Sequence, residues 1–346
     1  MRILLIADAV LPVPPVTYGG AERVVHLFGK EFTEMGHKVD LMAAKGSCSF
    51  GSRLYHHKAP GTGLMSRARR KTLFQLQSLW AARDCDVVYA HGRVDYLQAL
   101  LKAGKPTLVK FPNPITQQEI DLLEGESVNS GHRNNLALHL ISESQRQSAT
   151  TQLPVHVIGN PVDTRFFAMG SGDQGYLLML GRISAMKGVD TAIEVARRSG
   201  LPLVIAGNIG SHPEDRAHFE ASIRPQIDNL TVHWTGPVND VQKRGLLQGA
   251  KALLFPIRWE EPFGTVMVEA LACGTPVVAM RRGAAPEVIH HGVTGMLCDT
   301  LEDMVDAVLA ADQLSRSACR NQAVNQHDIR VVAPPVLKIL EQLASA

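Results

Sequence analysis

The sequence predicts an α/β protein built from two doubly wound, Rossmann-like domains facing across a cleft, and three observations carry that prediction. The chain has 346 residues, too many for one core and right for two domains of ~100–200 residues each. Short apolar runs alternate with segments of helical period along its whole length, which is the pattern of βαβ units and parallel sheets. The rhythm restarts after "AMGSGDQG" (168–175), a stretch rich in Gly, Ser and Asp and poor in anything that packs. Such a stretch reads as a linker, so the expected domains are 1–169 and 170–332.

The elements follow in order. In the first half the expected strands are "RILLIAD" (2–8), "KVDLMAA" (38–44), "DVVYAH" (86–91), "PTLVKF" (106–111), "LALHLIS" (136–142) and "VHVIGN" (155–160). In the second half they are "YLLMLGRI" (176–183), "LPLVIAG" (201–207), "VHWTG" (232–236), "AKALLFPI" (250–257), "TPVVAM" (275–280) and "GMLCD" (295–299). The segment 47–63 carries no pattern that places it. The tail "APPVLKILEQLASA" (333–346) puts Pro334 and Pro335 at a helix start, with apolar residues at helical spacing after them. It needs a surface to lie on, and the pattern does not say which domain supplies it.

Composition excludes several classes. At 45% hydrophobic, 20% charged and 5% aromatic residues the chain is ordinary globular protein, neither disordered nor fibrous. A formal charge of +2 is too small to steer the whole chain toward nucleic acid or anionic lipid. Five cysteines, odd in number and without a CxxC pair, indicate neither a disulfide framework nor a zinc cluster. "MRILLIADAVL" resembles a signal peptide, but Asp8 interrupts its apolar run, and no stretch reaches the ~20 apolar residues of a membrane span. A cytoplasmic location is expected.

In doubly wound domains ligands gather at the carboxyl ends of the strands, and the chemistry-bearing residues are sought there. "GRISAMKG" (181–188) puts Arg182 and Lys187 in a strand-to-helix turn. Two cations ~4 Å from a phosphate, each worth a few kcal/mol at an effective dielectric of about 20, would hold a diphosphate and favour its departure without metal. In such a turn alone, both are as readily solvated loop residues. Gly19 and Gly20 open a helix after the first strand, where free N–H groups bind anions, although GxGxxG is absent and a tight turn explains the pair equally well. In "PIRWEEPFGTVMVEALACGTPVVAM" (256–280), Glu261 precedes a helix that contains Glu269. No basic residue lies within four positions of Glu269, so a carboxylate buried there needs donors. Sugar hydroxyls, a wet helix face and the backbone all remain open as its partners. His91 ends a strand, and such a histidine either meets a ligand hydroxyl or serves as a structural hydrogen bonder.

Other signals carry less. "DCD" (84–86) has the DxD spacing of metal-dependent sugar transferases but precedes a strand and reads as loop polarity. His56 with His57, and His290 with His291, lack matching ligands for zinc. "SRARRKTLFQLQSLW" (66–80) joins Arg67, Arg69, Arg70 and Lys71 to a stripe of Leu73, Leu76, Leu79 and Trp80. The stripe reads as core and the charges as solvated, with weak contact to anionic lipid or a phosphorylated acceptor as the other reading.

With these residues in order, the chain resembles the family 4 retaining glycosyltransferases of the GT-B fold. The matching pieces are "YGGAERVV", "DVVYAHG", "VIGNPVD", "LGRISAMKG", "WTGPV", "EPFGTVMVEALACGTPVVA" with its E-x7-E pair, and "APEVIHHGVTGMLCD". The resemblance implies that Arg182 and Lys187 grip a donor diphosphate approached by Gly19 and Gly20. It implies that Glu269 takes the ribose hydroxyls, that Glu261 and His91 contact the transferred sugar, and that Phe263, Gly264 and Thr265 lie near that sugar and the diphosphate. The base would lie near Gly236 to Val238, and the terminal helix would return to the first domain. Pro161 stands where the family usually has Gly, which makes that crossing stiffer.

The function so implied is transfer of a hexose from a nucleoside diphosphate sugar, UDP before GDP or dTDP, to a hydroxyl, with retention and with no metal or cofactor. The acceptor, whether small molecule, glycan or lipid-linked, is left open, and nucleic acid is not expected. A nucleotide-sugar 2-epimerase on the same architecture and a non-catalytic nucleotide-sugar binding protein are the alternatives.

Overall fold

The computed structural model describes residues 1–17, 19–57, 63–130 and 135–346. Tyr18 and part of the unplaced 47–63 segment fall outside them. The chain divides into two compact units, one of residues 1–15, 19–161 and 329–346 and one of residues 16–18 and 162–328. The Gly-rich stretch 168–175 lies inside the second unit.

The first unit is one parallel sheet of seven strands: β1 Arg2–Ile6, β2 Lys38–Ala44, β3 Leu54–His57, β4 Val87–His91, β5 Thr107–Lys110, β6 Leu136–Leu140 and β7 Val155–Val157. Their order is β3-β2-β1-β4-β5-β6-β7, so the winding reverses between β1 and β4. A strand covered on both faces must be apolar throughout, and β1 and β4 are buried almost end to end. β3 is the strand that apolar patterning does not announce. Its "LYHH" carries two histidines, and His57 is buried because its Nε2 reaches the Ala7 carbonyl at 3.2 Å.

Helix α1 (Gly20–Glu34) presents Val24, Val25, Phe28 and Phe32 to one face of this sheet. Helix α2 (Leu64–Ala82) covers part of the other and corrects the sequence reading of its apolar stripe. Its inward residues are Phe74, Ser78, Ala81 and Ala82, which share a face at helical spacing. Leu73, Leu76 and Trp80 are 55%, 60% and 53% exposed; of the expected stripe, Leu79 packs against the core and Trp80 meets it with one edge, its ring 5.3 Å from that of buried Tyr55.

The second unit is a parallel sheet of six strands: β8 Leu177–Leu180, β9 Leu203–Ala206, β10 Val232–Trp234, β11 Ala252–Phe255, β12 Val277–Met280 and β13 Gly295–Cys298. The order β10-β9-β8-β11-β12-β13 puts the reversal between β8 and β11. The helices used below are α3 (Val189–Ser199), α4 (Asp240–Gly249) and α5 (Thr265–Ala272).

The last helix, α6 (Ile329–Ala344), starts before the position expected from its prolines, which fall inside it. Val332, Ala333, Val336, Leu337 and Leu340 recur at helical spacing and join the core that α1 covers, so the helix belongs to the first unit. No helix among the described residues is long and apolar enough to cross a membrane.

Candidate active site

In the second unit the candidate residues gather at the carboxyl ends of neighbouring strands. β8 runs out through Gly181 into Arg182, and backbone crowding shapes the exit. A Cβ on Gly207 would lie 1.9 Å from the Gly181 carbonyl oxygen, while Gly207 N–H donates to the Gly236 carbonyl at 2.9 Å. The ends of β8, β9 and β10 are thus packed backbone to backbone, and Gly236 and Val238 lead from β10 into α4. Arg182 is partly buried, and its Nε is buried with no hydrogen-bond partner. A buried donor left in this state is costly unless something arrives to accept from it.

A single turn, Ala185–Lys187, then carries the chain to Gly188. Gly188 has φ 69°, and a Cβ there would sit 2.0 Å from the Pro256 carbonyl oxygen. Only glycine lets this turn press against the segment leaving β11, and Arg258 N–H fastens the contact by donating to Met186 O at 2.8 Å. The consequence is chemical. Lys187 Nζ meets the Glu261 carboxylate, and the ammonium stands over the Trp259 ring at 5.1 Å. Both side chains of the pair are largely covered, at 17% and 13% exposure. The residues expected to touch a diphosphate and a sugar are therefore in contact across the β8/β11 reversal, where a doubly wound sheet offers its crevice.

Downstream, Phe263 is buried edge-on to His327. Gly264 is left-handed, with φ 76°, and a Cβ there would lie 2.8 Å from both Met267 and Phe255 atoms. It opens α5, and Met267 N–H of the first turn donates to the Gly264 carbonyl at 2.9 Å. Glu269, in the middle of α5, is 6% exposed. Its Oε1 accepts from Lys243 Nζ of α4 at 2.5 Å. Sequence reasoning missed Lys243, since it lies 26 residues away on the preceding βα unit. The one available signal was its place on the inward side of an amphipathic helix, where a lysine needs a partner.

In the first unit, Gly19 and Gly20 follow β1 and His91 ends β4, the two strands that flank the reversal. Gly19 has φ 138° and a Cβ there would lie 2.8 Å from Pro15, whereas nothing stands within 4 Å of one on Gly20. His91 is 4% exposed, and neither ring nitrogen has a partner. Burial, with Lys110 beside it on β5, holds its pKa well below the usual imidazole range, so the ring is neutral. Its neighbour His139 shows the satisfied alternative. There Nε2–H donates to the Ile158 carbonyl at 2.8 Å and Nδ1 accepts from the Tyr89 hydroxyl at 2.7 Å.

The weaker sequence signals resolve into structure. Asp84 pairs with Arg53 at 2.6 Å and Asp86 accepts from Arg2 N–H at 2.7 Å, at the amino edge of the sheet. His291 Nδ1 accepts from Leu297 N–H at 3.0 Å. Among the described residues no three His, Cys, Asp or Glu side chains gather as a metal-holding group.

Comparison with known proteins adds the family. Residues 18–166 match the family described as Glycosyltransferase Family 4, and residues 163–326 match Glycosyl transferases group 1. The alpha-maltose-1-phosphate synthase of Mycobacterium tuberculosis is 27% identical over 326 residues, covering 82% of this chain and 81% of that one. Two solved structures share the fold. AviGT4, a glycosyltransferase involved in avilamycin A biosynthesis, superposes with a TM-score of 0.70 at 23% identity, covering 99% of this chain and 98% of its own. HepE of Anabaena, solved in complex with UDP-glucose, gives 0.74 at 18% identity and full coverage of both chains, 100% each. Two parallel doubly wound sheets, one of seven and one of six strands, are the GT-B architecture. The chain belongs to the family 4 glycosyltransferases and is an enzyme of that class.

Proposed function

We propose that the chain is a retaining, metal-independent hexosyltransferase that uses a nucleoside diphosphate sugar, UDP-linked by first preference, and an acceptor hydroxyl. The observation that carries this reading is the meeting of Glu261 with Lys187, in the β8 exit segment that begins with Arg182, whose buried Nε lacks a partner. It is a cationic crevice with a carboxylate already in it. The complex of HepE with UDP-glucose supports a uridine donor.

The chemistry follows from where charge develops. The bond from the anomeric carbon to the diphosphate oxygen breaks, and that oxygen gains negative charge, which Arg182, Lys187 and the positive end of the α5 dipole stabilise in place. Lys187 is shared between Glu261 and the diphosphate, and Glu261 turns its remaining acceptor capacity to the sugar hydroxyls. The acceptor oxygen bonds the same face of that carbon and its proton passes to the leaving phosphate, so no enzyme nucleophile is required. His91, neutral and with both nitrogens open, offers one donor and one acceptor to the sugar, and Glu269 accepts from the ribose.

The same reading locates the enzyme in the cytoplasm, with weak contact between α2 and anionic lipid. Leu73, Leu76 and Trp80 lie exposed on a helix that also carries Arg67, Arg69, Arg70 and Lys71, the charge pattern that suits an acidic surface.

Incubating the purified chain with UDP-glucose in EDTA tests the proposal. Slow release of UDP that continues in EDTA is the expected result; strict dependence on Mn²⁺ would overturn it.

A further inference from the structure

We infer that Lys243 is a positioning residue that fixes Glu269 for the ribose hydroxyls and so sets a preference for ribonucleotide over 2′-deoxyribonucleotide donors. The inference rests on the nucleotide-sugar reading above.

Its basis is the way the ammonium is held. Lys243 sits on the inward side of α4, and its side chain and that of Glu269 are each 8% exposed. An ammonium has three N–H donors, and three electron-rich groups surround this one. Glu269 Oε1 lies at 2.5 Å, Asp240 Oδ1 at 3.3 Å and the Phe167 ring centroid at 5.0 Å. Held on three sides, the ammonium cannot swing away, and Glu269 Oε1 is committed to it. Glu269 Oε2 makes no hydrogen bond to any described residue and is the acceptor left over. A carboxylate with one oxygen pinned presents the other in a fixed direction, which two adjacent ribose hydroxyls can meet.

The pair also explains why the acid is tolerated. A carboxylate this deep with no cation would be neutral or expelled, and a neutral acid would lose the charge that makes its hydrogen bond to a hydroxyl strong. A donor without the 2′-hydroxyl leaves that charged acceptor short of a partner.

The test is calorimetric binding of UDP and 2′-deoxy-UDP to the full chain and its variants, with the melting temperature as a check on folding. The wild type is expected to bind UDP roughly 10–100-fold more tightly than 2′-deoxy-UDP, the range for one hydrogen bond to a charged group. In Lys243→Met the ratio closes to about threefold or less, because UDP affinity falls while 2′-deoxy-UDP affinity holds. A loss of fold would lower both together and leave the ratio intact. Lys243→Gln, which keeps a donor without the charge, narrows the same ratio and serves if the methionine variant does not fold. An unchanged UDP to 2′-deoxy-UDP ratio in either folded variant overturns the role of Lys243 while leaving the donor site standing. Failure of the wild type to bind either nucleotide overturns both.

Discussion

If Lys187 grips the diphosphate as proposed, replacing it with alanine removes the cation that the β8 turn delivers there, and the size of the loss follows from the site. A unit charge ~4 Å from a phosphate oxygen is worth about 4 kcal/mol at an effective dielectric of 20. Some of this is already realised without substrate, since the ammonium rests against Glu261. The diphosphate carries more charge than one carboxylate, and truncation leaves Glu261 facing it unneutralised, so the two corrections oppose each other. The net loss of about 3–4 kcal/mol corresponds to a fall of ~10²–10³ in kcat/KM. Stability should fall as well, by up to about 3 kcal/mol, because truncation leaves the largely covered Glu261 carboxylate without its cation. The assay is UDP release from UDP-glucose, alongside a melting curve for each variant. Lys187→Ala/Glu261→Gln, which relieves the repulsion, should regain part of the loss. A kcat/KM for Lys187→Ala within about threefold of wild type would refute the reasoning, for then no charge develops within Coulombic reach of this turn.

Three further outcomes are expected. Arg316 donates to the carbonyls of Gly170, Gln248, Ala250 and Cys273 and to Thr275 Oγ1, at 3.0–3.3 Å; Arg316→Ala strands these acceptors and should cost about 3–5 kcal/mol, or roughly 6–20 °C in the melting point of the second unit by calorimetry. His57 in the first unit and His327 in the second are pushed down to about 4 by burial; the unfolded chain binds their protons first, so stability falls as pH drops from about 6.5 to 4 and levels off below, by roughly 3 kcal/mol per residue. Denaturation curves across that range check the slope, which His327→Phe should flatten for its own unit. Trp80→Glu, on the exposed face of α2, should abolish co-sedimentation with anionic vesicles and leave UDP release in solution unchanged; equal binding to neutral and anionic vesicles would argue against that surface.

Much of the fold was legible in the sequence because parallel strands covered on both faces have to be apolar along their length. "RILLI", "VVYAH" and "LLML" announce themselves for that reason. β3 did not, since its "LYHH" is stabilised by one hydrogen bond from a buried histidine rather than by an apolar run. The stripe on α2 was misassigned because hydrophobicity alone does not say which face turns inward; small Ser78, Ala81 and Ala82 allow the close approach, and the larger leucines and Trp80 stay outside. Pro334 and Pro335 pointed to a helix start, yet packing of Ile329 and Val332 extends α6 ahead of them.

The site was legible in its residue types and not in its pairings. Arg182, Lys187 and Glu261 stand out by position after strands and ahead of helices, and Glu269 as an acid inside an apolar helix with no basic residue near it in sequence. That Lys187 meets Glu261, and Lys243 meets Glu269, depends on which βα units lie side by side. Local spacing carries no information about contacts set by sheet order, and the strand order β10-β9-β8-β11 supplies it.

The central claim is that a nucleoside diphosphate binds at the β8/β11 reversal, and a thermal-shift panel of UDP-, GDP-, ADP- and dTDP-sugars addresses it most directly. A ligand at 100 times its Kd stabilises the native state by about 2.7 kcal/mol. UDP-sugars should raise the melting temperature of the wild type and leave Arg182→Ala and Lys187→Ala nearly unmoved. A panel in which no nucleotide sugar shifts the wild type, or in which both variants shift as much as it does, would contradict the account.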